Sequence, residues 1–228
     1  MKRTPKTKAN PLSPIALAAA VTVAAMAGAC DEFSFVSLLS LPDQVVPEEL
    51  VLTVAQDSVP SGSSVPLEVS GGTLPYTFTL AGSDLYQPTR DRSLGTIDNS
   101  KFTAGQAIGT VLITVEDAAG GSAFIEVAVI PPKPVFIITR SGVVQGSPEK
   151  ANFAVNWTYI DTAMVDGFSI YASIDGNEYS LVATANATDT SIQSQNNVFY
   201  YSSVAYRIIA HADSFYSSPE IQTFQVTP

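Results

Sequence analysis

Residues 152–171 read NFAVNWTYIDTAMVDGFSIY and give the clearest indication of the fold class. Apolar side chains occupy every second position near the two ends of this stretch, and smaller or more polar residues fill the alternate positions. The alternating apolar residues are Phe153, Val155, Trp157, Phe168 and Ile170. A period of two is that of a β-strand with one buried face. The stretch therefore predicts two consecutive strands that cover a common core.

The same alternation continues on both sides of this stretch. The clearest further sets are Leu50, Leu52 and Val54; Val65, Leu67 and Val69; and Val204, Tyr206, Ile208 and Ala210. Residues 58–64 predict a Pro/Gly/Ser turn, and Asp175-Gly176 predicts a hairpin turn because these residues tolerate positive φ. With 46% hydrophobic and 14% charged residues, the chain has enough apolar material to fold. The predicted class is all-β.

Clustered prolines divide the predicted strands into two groups. Residues 130–134 read IPPKP, which favours a stiff linker and cannot donate to a central sheet. Short strands with turns between them, and no helical period, are typical of β-sandwiches. We expect two tandem sandwiches, at residues 49–131 and 134–228.

Three motifs of the first module resemble the bacterial Ig-like repeats of surface proteins. They are GGTLPYTF at residues 71–78, GTID at residues 95–98 and ITVEDAAGG at residues 113–121. The resemblance covers about residues 49–131. It implies an Ig-like sandwich and nothing catalytic.

The second module is similar to a fibronectin type III domain. The resemblance rests on Trp157 in the second strand, DGFSIY at residues 166–171, YRIIA at residues 206–210 and YSSPE at residues 216–220. It covers nearly all of residues 134–228. It implies a second sandwich in tandem with the first.

The N-terminus has the layout of a secretion signal. Residues 1–10 are basic, residues 12–29 are apolar and uncharged, and small residues lead directly into Cys30. This end resembles the lipobox of bacterial lipoproteins, which implies cleavage between Ala29 and Cys30 and a diacylglycerol thioether on Cys30. Residues 1–29 are then the signal peptide, and residues 30–48 a lipid-anchored tether. Ordinary secretion and an uncleaved membrane helix are the alternatives.

Removal of the signal peptide leaves a strongly acidic chain. Lys2, Arg3, Lys6 and Lys8 are lost, so the 11 basic side chains fall to 7 against 21 acidic ones, a formal charge of −14. Nucleic acid would be repelled and is excluded as a partner. Because Cys30 is the only cysteine, no internal disulfide is available, and each module must be stable through its core.

The residue types needed for catalysis or metal binding are scarce. His211, beside Asp213, is the only histidine, and we interpret it as an ordinary histidine near a strand end. We expect no enzyme activity, no cofactor and no metal site. Calcium, which needs several converging oxygen ligands, is the alternative, with Asp84, Asp91, Asp98 and Asp117 of the first module as candidates; otherwise these are solvated surface acids.

Aromatic residues in or beside predicted loops are the candidate ligand contacts. We single out Tyr200, Tyr201 and Tyr216, which could stack on sugars or anchor a protein interface, or else pack into the core. Together these features predict a membrane-anchored extracytoplasmic lipoprotein that acts as a non-catalytic binding, adhesion or scaffolding module. Its expected partners are the membrane, through the lipid, and an envelope protein or glycan.

Two other functions stay open on the sequence. One is an accessory carbohydrate-binding subunit or a degenerate glycoside-processing enzyme, and the other is a stalk that only sets a distance from the membrane. For location, the outer membrane or cell surface is favoured, while Asp31 after the lipobox leaves the inner membrane as an alternative.

Overall fold

The computed structural model describes residues 48–144 and 147–228. The predicted signal peptide, its cleavage site, the lipid-acceptor Cys30 and most of the tether lie outside these residues. Within them, no helix has the length and apolar character to cross a membrane.

The first sandwich has two four-stranded sheets. Its strands are β1 (Val51–Val54), β2 (Ser58–Pro60), β3 (Ser64–Ser70), β4 (Thr77–Ser83), β5 (Gly95–Asp98), β6 (Lys101–Ala104), β7 (Gly109–Glu116) and β8 (Ser122–Ile130). One sheet has the order β1-β3-β6-β5 and the other β2-β8-β7-β4. All pairs are antiparallel except β2 with β8. The predicted turn at residues 58–64 therefore contains a short strand, β2.

The second sandwich has a three-stranded and a larger sheet. Its strands are β9 (Val135–Val144), β10 (Ser147–Thr158), β11 (Gly167–Ile174), β12 (Ser180–Asn186), β13 (Ser191–Phe199), β14 (Ser203–Ala212), β15 (Phe215–Tyr216) and β16 (Glu220–Gln225). The smaller sheet has the order β13-β10-β9. The larger has the order β12-β11-β14, with β15 and β16 both paired to β14. The described chain is thus all-β, with two tandem sandwiches.

Each sandwich buries most of the alternating residues that the sequence indicates, and in the first sandwich Val54 and Val69 are half-buried. In the second, Phe153, Val155 and Trp157 from β10 face Phe168 and Ile170 from β11, and all five are buried. The Trp157 and Phe168 rings lie 5.3 Å apart between centroids. Burial of large apolar side chains is the main stabilising contribution, at roughly 1.5–3 kcal/mol each.

Two short 3-10 turns, Gln87–Thr89 and Thr162–Met164, lie outside the sheets, one in each half of the chain. They are in contact with each other. The two sandwiches belong to one compact unit, and these turns mark the place where they meet.

Candidate functional site

The linker between the sandwiches is itself partly packed. Pro131 and Pro134 are buried, and Lys133 between them forms an ion pair with Glu220 of β16 at 2.7 Å. Proline fixes φ, so the linker has few conformations to lose when the two sandwiches meet.

An ion pair joins the two 3-10 turn regions. Arg92 Nη1 lies 2.6 Å from Asp161 Oδ2, and Asp161 Oδ1 accepts a hydrogen bond from Ala163 N at the start of the second turn. The hydrogen bond from Arg92 lowers the pKa of Asp161, and the Ala163 amide lowers it further. Asp161 is therefore ionised at neutral pH, and it holds both its own turn and the neighbouring sandwich.

A second polar contact crosses the region where the two sandwiches meet, which we call the junction. Tyr86 Oη donates to Asp166 Oδ1 at 2.5 Å, and Asp166 Oδ2 accepts from Asp213 N at 2.7 Å. Burial opposes ionisation of Asp166, but the bonds from Tyr86 and Asp213, with the charge of His211 nearby, outweigh it and lower the pKa of Asp166. Burial and the Asp166 carboxylate raise the pKa of Tyr86 to about 12. The pair is thus a neutral phenol bound to a carboxylate at neutral pH.

An open cleft of about 610 Å³ lies beside this pair. Asp84, Asp166 and Asp213 border it, so the local potential is negative. His211 lies in β14 next to this end of the sandwich, with its ring centroid 6.5 Å from that of Tyr216. Among the residues described, no group of three or more His, Cys, Asp or Glu side chains could hold a metal ion.

The Ig-like motifs of the first sandwich meet each other at its other end. Asp117 Oδ2 accepts from Thr73 N at 2.8 Å, and Asp117 Oδ1 accepts from Ala119 N and Gly121 N. These hydrogen bonds, led by the one from Thr73, lower the pKa of Asp117. Tyr76 Oη also donates to Gly71 O. Among the acids considered for calcium, Asp117 thus uses its carboxylate to hold two turns together.

The three predicted contact tyrosines do not share one surface. Tyr200 and Tyr201 follow β13, at the end where Ile174 pairs with Val204. Tyr216 lies in β15 opposite His211, at the junction end of β14. Tyr201 is 81% exposed and Tyr216 58% exposed. Tyr200 is half-buried against the core.

Two cations lie beside the aromatic residues 199–201. Arg140 Nη2 donates to Tyr200 Oη at 2.5 Å, and its guanidinium lies 5.1 Å from the centre of the Tyr200 ring. Lys150 Nζ lies 4.2 Å from the centre of the Phe199 ring, which is 53% exposed. We call Phe199, Tyr200 and Tyr201, with Arg140 and Lys150, the distal surface.

Sequence reasoning missed the junction pairs and the two cations. The junction partners are 69 and 80 positions apart, and no local pattern marks either pair. A cation bound to an aromatic ring likewise leaves no spacing signature, because the ring and the cation come from different strands.

Comparisons with known proteins find likeness to solved structures alone. No protein-family model matches the sequence, and no curated protein matches it. A two-domain fibronectin type III segment from chicken tenascin is 14% identical, covering 79% of this chain and 99% of its own, with a TM-score of 0.46. Domains A168-A170 from titin are 14% identical over 80% of this chain and 67% of theirs, with a TM-score of 0.35. By its strand topology, the described chain is a tandem of Ig-like and fibronectin type III-like sandwiches.

Proposed function

We propose that this chain is a cell-envelope lipoprotein, anchored through Cys30, whose two sandwiches form a non-catalytic binding or scaffolding module. The outer membrane or the cell surface is its proposed location. Sandwich modules host many functions, so the fold by itself does not choose one. The observation that supports this proposal is where the two ends of the sandwich pair lie relative to the junction.

The described chain begins at the end of the first sandwich that faces away from the junction. Glu48 O accepts from Gly72 N at 2.8 Å, and Val51 pairs with Ser70. Strand β7 begins at Gly109 beside the junction, because Tyr86, which bonds Asp166 across the junction, donates its backbone amide to Ile108 O. β7 then runs eight residues away from it, or about 25 Å at about 3.3 Å per residue.

The distal surface lies at the opposite end of the second sandwich. Gly167 pairs with His211 near the junction, and Ile174 pairs with Val204 at the other end of β14. That strand has ten residues, or about 30 Å. The N-terminal end of the described chain and residues 199–201 therefore lie at opposite ends of the sandwich pair.

The junction contacts give this arrangement a defined geometry. A linker containing Pro131, Pro132 and Pro134, the Arg92–Asp161 ion pair and the Tyr86–Asp166 hydrogen bond all restrict rotation between the sandwiches. Relative motion is the default for tandem domains, and these contacts oppose it. A fixed pair suits a protein that presents a surface at a set distance from a membrane.

The proposal is tested by the membrane behaviour of the full-length chain and a Cys30→Ser variant. Wild type is expected in the detergent phase after Triton X-114 separation, and Cys30→Ser in the aqueous phase or still carrying residues 1–29. Equal partition of the two proteins would contradict the anchor. Turnover of any envelope substrate by the purified protein would contradict the non-catalytic assignment.

A further inference from the structure

The aromatic residues at the distal surface have two different roles in the structure. Tyr200 is half-buried, and its hydroxyl accepts from Arg140, which also donates to Thr227 O at 3.2 Å. Phe199 and Tyr201, on either side of it, direct more than half of their surface to solvent. Tyr200 therefore anchors the segment, while Tyr201 is presented and Phe199 exposes the part of its ring that Lys150 does not cover.

Tyr201 also has a backbone conformation that its side chain does not favour. Its φ is +68°, in the left-handed region where glycine and asparagine are the usual residues. Its amide donates to Val226 O at 2.6 Å, and Ser202 N donates to Phe199 O at 3.3 Å, which fixes the turn. A bulky aromatic in this conformation gains little from burial, because its ring is exposed. Outliers of this kind cluster at ligand-binding positions.

The surroundings of the exposed rings are polar. Lys150 and Arg140 supply hydrogen-bond donors, and the exposed Glu149, whose backbone carbonyl accepts from Tyr200 N, supplies acceptors. Asp175 and Glu178 lie on the turn at the same end of the sandwich. Positive and negative groups are thus mixed here, although the whole chain is strongly acidic.

We infer that Phe199 and Tyr201 form a stacking surface for the sugar rings of a neutral polysaccharide, which deepens the binding function proposed above and rests on it. The C–H face of a pyranose packs on an aromatic ring, and its hydroxyls need nearby donors and acceptors of both kinds. The acidic chain disfavours a polyanionic glycan.

The test is co-sedimentation of the full-length lipoprotein, in detergent micelles, with insoluble cellulose, chitin and xylan, and with alginate gel as a polyanionic probe. The variants are Tyr201→Asn and Phe199→Ala. Tyr216→Ala is the matched control, because it removes another exposed tyrosine at the opposite end of the sandwich. Asn suits the left-handed backbone, so Tyr201→Asn should fold as well as wild type.

We expect wild type to be retained on a neutral polysaccharide and Tyr201→Asn and Phe199→Ala to be retained about tenfold more weakly. Tyr216→Ala should be retained as well as wild type. Retention on alginate alone, equal retention of all variants, or no retention on any probe would each overturn the inference. The anchor is read separately from detergent partition. If the protein does not bind sugar but still partitions into detergent through Cys30, only this inference fails. If it binds sugar but its partition does not depend on Cys30, the proposed anchor fails.

Discussion

Replacing Tyr86 with phenylalanine removes one hydroxyl from the junction and leaves the ring in place. That hydroxyl donates to the ionised Asp166 across the two sandwiches at 2.5 Å. A hydrogen bond to a charged acceptor contributes roughly 1.5–3 kcal/mol, and partial exposure of this pair reduces the expected value to about 1 kcal/mol. A loss of that size raises the population of the open junction about fivefold.

Amide hydrogen exchange measures this change at the residue concerned. Asp213 N donates to Asp166 Oδ2, so its exchange should accelerate about fivefold when Tyr86 no longer holds the carboxylate. The internal reference is Gly121 N, which donates to Asp117 at the other end of the first sandwich and should not change. Tyr76→Phe is the control variant, because it removes a hydroxyl that bonds Gly71 O within one sandwich.

Unchanged exchange at Asp213 in Tyr86→Phe would refute the idea that Tyr86 fixes Asp166. Equal acceleration in Tyr76→Phe would show that the effect is not specific to the junction. The double variant Tyr86→Phe/Arg92→Met removes both polar contacts. Residual dipolar couplings should then require separate alignment tensors for the two sandwiches, whereas one tensor should fit wild type.

Four further predictions concern stability and pH. Phe168→Ala should lower the free energy of unfolding by about 3–5 kcal/mol in a urea titration, because the ring is fully buried against Trp157 and Tyr159; a loss below about 1 kcal/mol would contradict this packing. Gly72→Ala should lower the free energy of unfolding more than Gly62→Ala. Both glycines have positive φ, but only at Gly72 would the new methyl group lie 2.8 Å from Asp117 Oδ2. Equal losses of stability in the two variants would contradict the steric argument. Tyr201→Asn should raise the free energy of unfolding by up to about 1 kcal/mol, because asparagine tolerates the left-handed backbone, and a clear loss would mean that the ring contributes packing. The pKa values of Asp161 and Asp166 are lowered in the folded chain. The stability that their ionised forms contribute is therefore present above the ordinary pKa of 3.8 and is lost as the pH falls through the lower folded values. Dipolar couplings that show a junction loosening between pH 7 and pH 5 would contradict this.

The strands that face a core could be predicted from the sequence, because burial imposes a period of two. Val204, Tyr206, Ile208 and Ala210 alternate in the sequence, and all four are buried in β14. Two strands escape this signal for physical reasons. β2 (Ser58–Pro60) is short and pairs with β8 about 70 positions later, and β13 (Ser191–Phe199) has a mostly polar sequence.

The candidate site was only partly predictable. Exposed aromatics near loops are visible in the sequence, but which of them point outward depends on the register of β13 and β14. The sequence groups Tyr200, Tyr201 and Tyr216, whereas the sheet places Tyr216 at the other end of β14 and buries half of Tyr200. The junction depends on contacts between separate sandwiches, for which local spacing carries no information.

We propose that the sandwich pair is attached to a membrane through Cys30. Intact-mass spectrometry of the full-length chain, purified from a host that processes lipoproteins, measures this attachment. We expect a mature protein that begins at Cys30 and carries the added mass of a diacylglyceryl group, with no such mass on Cys30→Ser. A mature protein without added lipid, or one that retains residues 1–29, would contradict it.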